Sequence, residues 1–229
     1  MGLPAEKPRR ATLSDLEAVP EHMVAEIFGG VLHVFPRPSP PHAHAASILG
    51  MDIGGPFDRG RGGPGGWRIV DEPELHLGRR GKEDVLIPDL AGWRLSRMPR
   101  LPVTAYFSLA PDWVCEVLSP STETVDRSEK MAIYAREKVS HAWLVHPFRR
   151  MLEVYRLGPD GLWIMLGVYS KDQVVRAEPF DAVELHLSSL WTDLEGEPDE
   201  TPVPPLTLRV KRPKTLSRDA QKKGRGKKA

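Results

Sequence analysis

The sequence predicts an α+β or α/β fold, a mixed and strongly curved sheet with helices packed on it. Apolar, strand-like segments such as "DWVCEVL", "HAWLVHP" and "MLEVYRL" dominate the chain, each short and bounded by turn residues. Only two or three segments have helical spacing, and no internal repeat is present.

In chain order, "TLSDLEAV" reads as a short helix capped by Thr12 or Ser14. "HMVAEIFGGVLHVFP" is a hairpin with Gly29 and Gly30 at its turn. "SPPHAHAASILGMDI" is a helix whose entry is set by Pro40 and Pro41, since proline suits a first helical turn. The flexible loop "DRGRGGPGGW" lacks the Gly-Lys-Ser/Thr ending of a phosphate-binding loop, so it takes no nucleotide role. Strands follow at "PELHL", "VLIPDLAGWR" and "DWVCEVL", then the helix "TVDRSEKMAIYAREK". Further strands lie at "HAWLVHP", "MLEVYRL" and "LWIMLGVYS", with a short one near "AVELHL". The six tryptophans read as packing residues rather than base-stacking platforms.

The 229 residues divide into a domain over 1–193, an acidic, proline-rich linker over 194–206 and a basic tail over 207–229. Hydrophobic residues make up 40% and charged ones 28%, ordinary for a globular protein. No apolar run approaches the roughly 18–20 residues that span a bilayer, and "MGLPAEKPRR" lacks a signal-peptide core, so the expected location is cytoplasmic, without a membrane partner. The lone Cys115 excludes an internal disulfide and a cysteine-rich zinc site and reads as a packed thiol. From Thr201 onward ten basic residues face one acid, a charge of +9; the remaining 22 basic and 30 acidic residues give the body −8. The tail has too little apolar surface to fold alone and is expected to be disordered. Its Lys211, Arg212, Lys214, Lys222, Lys223, Arg225, Lys227 and Lys228 suit a non-specific polyanion-binding arm, or else a merely solubilising terminus.

The chemistry concentrates at Asp89, Glu116 and Lys130. Pro88-Asp89 places a carboxylate within a strand, and 27 residues later Glu116 sits mid-strand, sharing parity with Val114 and Leu118. An unpaired ionised carboxylate in a core is expensive, so a partner is expected opposite Glu116. On the following helix Asp126, Lys130 and Tyr134 are spaced by four and share a face, from which a lysine can point back at the sheet. Paired carboxylates beside a lysine suit Mg²⁺- or Mn²⁺-assisted phosphodiester hydrolysis. The lysine would orient or deprotonate the attacking water, or offset charge growing on phosphorus.

The stretches "PDLAGWR", "DWVCEVLSPSTETVDRSEKMAIYAREKV" and "HAWLVHP" resemble the Uma-two family of restriction-endonuclease-like proteins, within the PD-(D/E)XK nuclease superfamily. The resemblance runs from Pro88 to Pro147 and reaches back more weakly to "AEIFGGVLHVFPRPSPPHAHAA". It implies a restriction-endonuclease-like sheet, metal binding at Asp89 and Glu116, and Glu26 as a further acidic ligand. The superfamily's lysine normally falls two residues after the strand glutamate, where this chain has Leu118; the family pattern points instead to Lys130. A histidine opening the second helix matches His44 or, less well, His42. Lys138, His141 and His146 depart from the family's glycine, glutamate and aspartate at those positions.

Two function classes follow. One is an Mg²⁺-dependent endonuclease acting on DNA. The other is a catalytically inactive nuclease fold that binds nucleic acid or a protein partner, which the acidic body keeps open. Apolar strands such as "LWIMLGVYS" would permit a homodimer.

Overall fold

The computed structural model describes residues 9–191 and 193, together with the backbone of Leu206–Leu208. Near its start, helix α1 (Leu13–Glu17) is opened by a capping box between Thr12 and Asp15. Strands β1 (Met23–Phe28) and β2 (Val31–Pro36) pair antiparallel across Gly29 and Gly30, whose φ values of 60° and 79° are the left-handed pair a two-residue hairpin turn requires.

Helix α2 (Pro40–Ile53) follows, then β3 (Trp67–Asp71), β4 (Leu75–Leu77), β5 (Asp84–Leu86), β6 (Leu90–Arg94) and β7 (Trp113–Val117). One sheet has the order β13-β2-β1-β5-β4, its outer strand β13 being Leu206–Leu208. The second has the order β10-β9-β8-β7-β6-β3, with β8 (His141–His146), β9 (Met151–Leu157) and β10 (Trp163–Ser170). A small ribbon, β11 (Val174–Val175) and β12 (Leu185–His186), completes the described strands. The only parallel pairing within the second sheet is β7 with β8, and such a pair needs a long crossover. That crossover is a continuous helical segment: α3 (Glu123–Val125), a π turn (Asp126–Lys130) and α4 (Met131–Arg136).

Three expectations change here. "VLIPDLAGWR" is two strands rather than one, and Ile87-Pro88-Asp89 carries the chain from β5 in the first sheet to β6 in the second. Proline has no N–H for the ladder, so the pairing breaks there and Asp89 stands at the seam between sheets. β3 was hidden by the neighbouring glycines; Trp67 belongs to it rather than to the loop. Leu206–Leu208 pair with β2 at the boundary read as linker and tail, and the rest of 194–229, apart from these residues, lies outside the described residues.

The second sheet is covered on both faces, which buries β7 throughout. Trp113, Cys115 and Val117 pack with α2, Trp67, Trp143 and Phe180. Val114 and Leu118 face the other way, onto Phe35, Leu75, Met131 and Tyr134. Glu116 shares that second parity, so its carboxylate points into the space between the two sheets and the crossover helix. Cys115 is fully buried, and burial pushes its thiol well above the usual range, as a packing residue requires. No described helix is long and apolar enough to cross a membrane.

The crossover helix ends in a Schellman arrangement, with the Val139 N–H donating to the Tyr134 carbonyl at 3.0 Å. Lys138 therefore adopts a φ of 65°, at the position where the sequence resemblance implies glycine. Lys138→Gly is expected to raise stability by up to about 1 kcal/mol, since a β-carbon strains left-handed backbone. A urea melt checks it, and a lower midpoint would show that the lysine side chain contributes more than the strain removes.

Candidate active site

Four acidic side chains and one lysine meet at the seam. Lys130 Nζ lies 3.1 Å from Glu26 Oε2, 3.2 Å from Asp126 Oδ1 and 3.3 Å from Glu116 Oε2. The lysine and these three carboxylates are each no more than 3% exposed. The Tyr134 hydroxyl donates to Glu116 Oε1, so both Glu116 oxygens are held. Glu26 is held in the same way, by Lys130 and by the Ile87 N–H at 2.7 Å.

The π turn supports this geometry. Its wider winding places Asp126 and Lys130 at the point where the helix faces the sheets, and π turns recur at functional positions. Tyr134, one turn further on, lies on the same face, as the spacing by four predicts.

Asp89 is held separately. Its Oδ2 accepts the Val117 N–H at 2.6 Å, and its Oδ1 lies 2.6 Å from His42 Nε2. The antiparallel register Leu90↔Cys115 extends one step back to set Asp89 against Glu116, across neighbouring strands as their spacing suggested. The histidine is a correction: His42, not His44, reaches the site. His42 lies on the buried stripe of α2 with Ala45, Leu49 and Ile53, whereas His44 is turned off that stripe and half-buried.

Glu26, His42, Asp89, Glu116, Asp126 and Lys130 line a cleft of about 780 Å³, together with Phe35, Arg37, Phe148 and the Ser119–Thr122 turn. A second cavity of about 650 Å³ lies along α2 and shares His42 and Asp89 with the first.

The electrostatics follow from burial. Burial pushes Glu26 and Asp126 up and Glu116 well above the carboxylate range, with Lys130 pulling each of them back. Burial disfavours the charge on Lys130, but Glu116, Glu26 and Asp126 outweigh it and hold its pKa well above that of a free lysine. Burial and then the charge of Glu116 push Tyr134 well up, so the phenol stays a donor. Lys130 is thus an ammonium ion surrounded by acids that outnumber it.

That excess of negative charge tests whether a divalent cation fits. The donors are hard oxygens, as Mg²⁺ requires, and the acids are incompletely neutralised. Among the described residues no group of three or more His, Cys, Asp or Glu side chains is arranged to hold a metal. An ion resting on one or two carboxylates and otherwise on water is the usual mode for Mg²⁺ and matches the donor set.

A pH dependence follows. Glu26, Glu116 and Asp126 have raised values in the folded state, so their contribution to stability is complete below the ordinary carboxylate range and is lost as pH rises through the raised values. Glu123 and Glu153 run the other way: burial opposes their charge, but Arg127 outweighs it, and their contribution is lost as pH falls through the lowered values. In chelator-containing buffer, stability should therefore peak near about pH 5 and decline toward about pH 8. Urea melts across that range check the sign, and a monotonic rise to pH 8 would contradict it.

A mixed sheet with a carboxylate pair at its seam and a lysine on the crossover helix defines a restriction-endonuclease-like protein. The model of the Uma2 family, described as "Putative restriction endonuclease", matches residues 11–188, and the chain belongs to that family. A relative in Synechocystis sp., "Uncharacterized protein slr1290", is 32% identical over 77 residues, a stretch covering 33% of this chain and 40% of that protein. Among solved structures, "a putative nuclease belonging to DUF820" from Anabaena variabilis superposes with a TM-score of 0.62 at 23% identity, covering 79% of this chain and 97% of the other. This likeness shows the fold.

Asp89, Glu116, Lys130, Glu26 and Tyr134 are all brought together; His44 is not, and the tail cations lie outside the described residues. Asp126 is a full member of the cluster that the sequence offered only as a neighbour on the same helix face. Arg37 and Phe148 carried no signal, because a turn residue lining a cleft has no spacing pattern.

Proposed function

We propose that the chain is a metal-dependent endonuclease that hydrolyses DNA phosphodiester bonds, with Mg²⁺ or Mn²⁺ held by Asp89 and Glu116. The observation that carries this reading is Lys130 held by three buried carboxylates in the cleft that Asp89 also lines. When bound, the metal supplies Lewis-acid polarisation of a phosphoryl oxygen and a more acidic water.

The chain's own residues set the rest. The Val117 N–H and His42 fix the Asp89 carboxylate, and Tyr134 and Lys130 fix that of Glu116. Glu26 and Asp126 hold the ammonium in place. Because Lys130 keeps its proton so firmly, its role is to offset negative charge on the phosphoryl group rather than to abstract a proton. Glu26 accepts the Ile87 N–H and pairs with Lys130, and stands beside Asp89 and Glu116 as an auxiliary acidic ligand.

Docking falls to the tail. The body's −8 repels a phosphate backbone, and the +9 from Thr201 onward attracts one. The binding-only alternative shares that docking but predicts no hydrolysis.

The test is conservative. Asp89→Asn retains an acceptor for the Val117 N–H, and Glu116→Gln retains one for Tyr134, so both should fold. Each should weaken Mn²⁺ binding at least about 10-fold by calorimetric titration and abolish cleavage of plasmid DNA. Glu116→Gln should also be more stable than the parent in chelator, because one of several repelling charges is removed. Unchanged Mn²⁺ affinity in both variants would sink the site.

A further inference from the structure

The cleft's size, depth and lining narrow the substrate, given the nuclease reading above. Its volume of about 780 Å³ is that of a pocket for one small ligand, not of a groove for a duplex. The floor is deep: Glu116 and Lys130 are each 3% exposed, so a phosphate must enter the cleft to reach them. A duplex presents its phosphates on the outside of a stiff cylinder and carries one charge per about 1.7 Å of axis. The rim opposes that charge with Glu21, Glu72 and Glu74, and its one arginine, Arg37, donates to the Glu21 carbonyl at 2.6 Å.

The walls are of another character. Val19, Pro20, Phe35, Pro38, Pro120 and Phe148 all line the cleft, and Phe148 is only half-buried. Apolar and aromatic surface beside acidic groups favours a neutral, flat group over a row of phosphates. A nucleobase has that shape, and every base can stack on an aromatic face.

We infer that the cleft takes one unpaired nucleotide at a time, its base against Phe148 and the proline-lined wall and its phosphate directed to the floor. A strand that is single, bulged or frayed can supply such a nucleotide, whereas intact duplex must first unstack and unpair one. The preferred substrate class is therefore single-stranded or locally unpaired DNA.

The experiment uses the full chain and three end-labelled oligonucleotides of one sequence: the single strand, its full duplex, and the duplex with one central unpaired nucleotide. Affinity is read by anisotropy in Ca²⁺ at about 0.3 M salt, which suppresses non-specific attraction by the tail. Cleavage is read separately in Mn²⁺. The single and bulged strands should bind about 10-fold more tightly than the duplex, and Phe148→Ala should remove most of that preference while Phe148→Tyr retains it. Cuts should fall beside the unpaired nucleotide. Equal or tighter binding of intact duplex, or a Phe148→Ala variant with the parent's preference, overturns the inference and leaves the nuclease reading standing. Preferential binding without any cleavage supports the inference and removes the nuclease reading. Failure to bind any of the three at low salt as well overturns both.

Discussion

Replacing Lys130 with methionine should abolish cleavage and destabilise the fold by about 3–5 kcal/mol at pH 8, as expected when one partner of a buried ionic cluster is removed. Glu26, Glu116 and Asp126 all lie within 3.3 Å of its Nζ and lose their shared counter-ion. The loss should shrink toward pH 5, because the three acids then take up protons, which their raised values favour. The rate should fall at least about 100-fold even where the variant is fully folded, because a preorganised positive charge is missing in the transition state. Lys130→Arg should not restore it: a planar guanidinium cannot take the place of an ammonium with acids on three sides in a site 3% exposed. Urea melts at both pH values and single-turnover cleavage at pH 6 separate the two effects. Wild-type cleavage by folded Lys130→Met would reduce the lysine to an ion-pair partner.

The candidate site was largely legible because its residues sit on elements with a period. Parity along "DWVCEVL" turned Glu116 toward the same side as Val114, and spacing by four aligned Asp126, Lys130 and Tyr134. Both survive in the structure, the second across a π turn that no sequence spacing announces. The stripe Ala45, Leu49, Ile53, extended back along α2, reaches His42 and passes over His44, so the helical period favours the histidine that the resemblance matched less well. What sequence periodicity does not carry is the relation between elements. Pro88 read as an irregularity within one strand; that it sends the chain from one sheet to another, placing Asp89 at the seam, depends on pairings with β1 and β7 distant in sequence. The Gly-rich loop likewise obscured β3, whose pairing with β6 outweighs its weak local pattern. Much of the cleft wall comes from turns and the ends of elements, where position is set by the packing of the elements they join.

Deleting Lys211 to Ala229 should remove most of the chain's salt-dependent affinity for duplex DNA while leaving metal binding unchanged. The cut falls beyond Leu206–Leu208, so the strand that pairs with β2 is retained and the first sheet keeps its outer edge. It removes nine of the ten basic residues that follow Thr201, sparing Arg209, from a chain whose body carries −8. Each phosphate neutralised by a lysine or arginine contributes about 0.9 to the slope of log affinity against log salt, so a tail that engages several phosphates produces a steep line. The truncated protein, with a net negative body, releases few counter-ions and its line should be nearly flat. Register places Leu208 beside Leu32, near the Gly29-Gly30 turn, whereas the cleft draws on the opposite end of the same hairpin, at Met23 and Pro36. The described strand Leu206–Leu208 thus lies away from the carboxylates, and Mn²⁺ titration should give the same affinity for both proteins. Anisotropy at several salt concentrations measures the slopes. Parallel lines for the full and truncated chains would assign docking to the body and leave the tail a solubilising terminus.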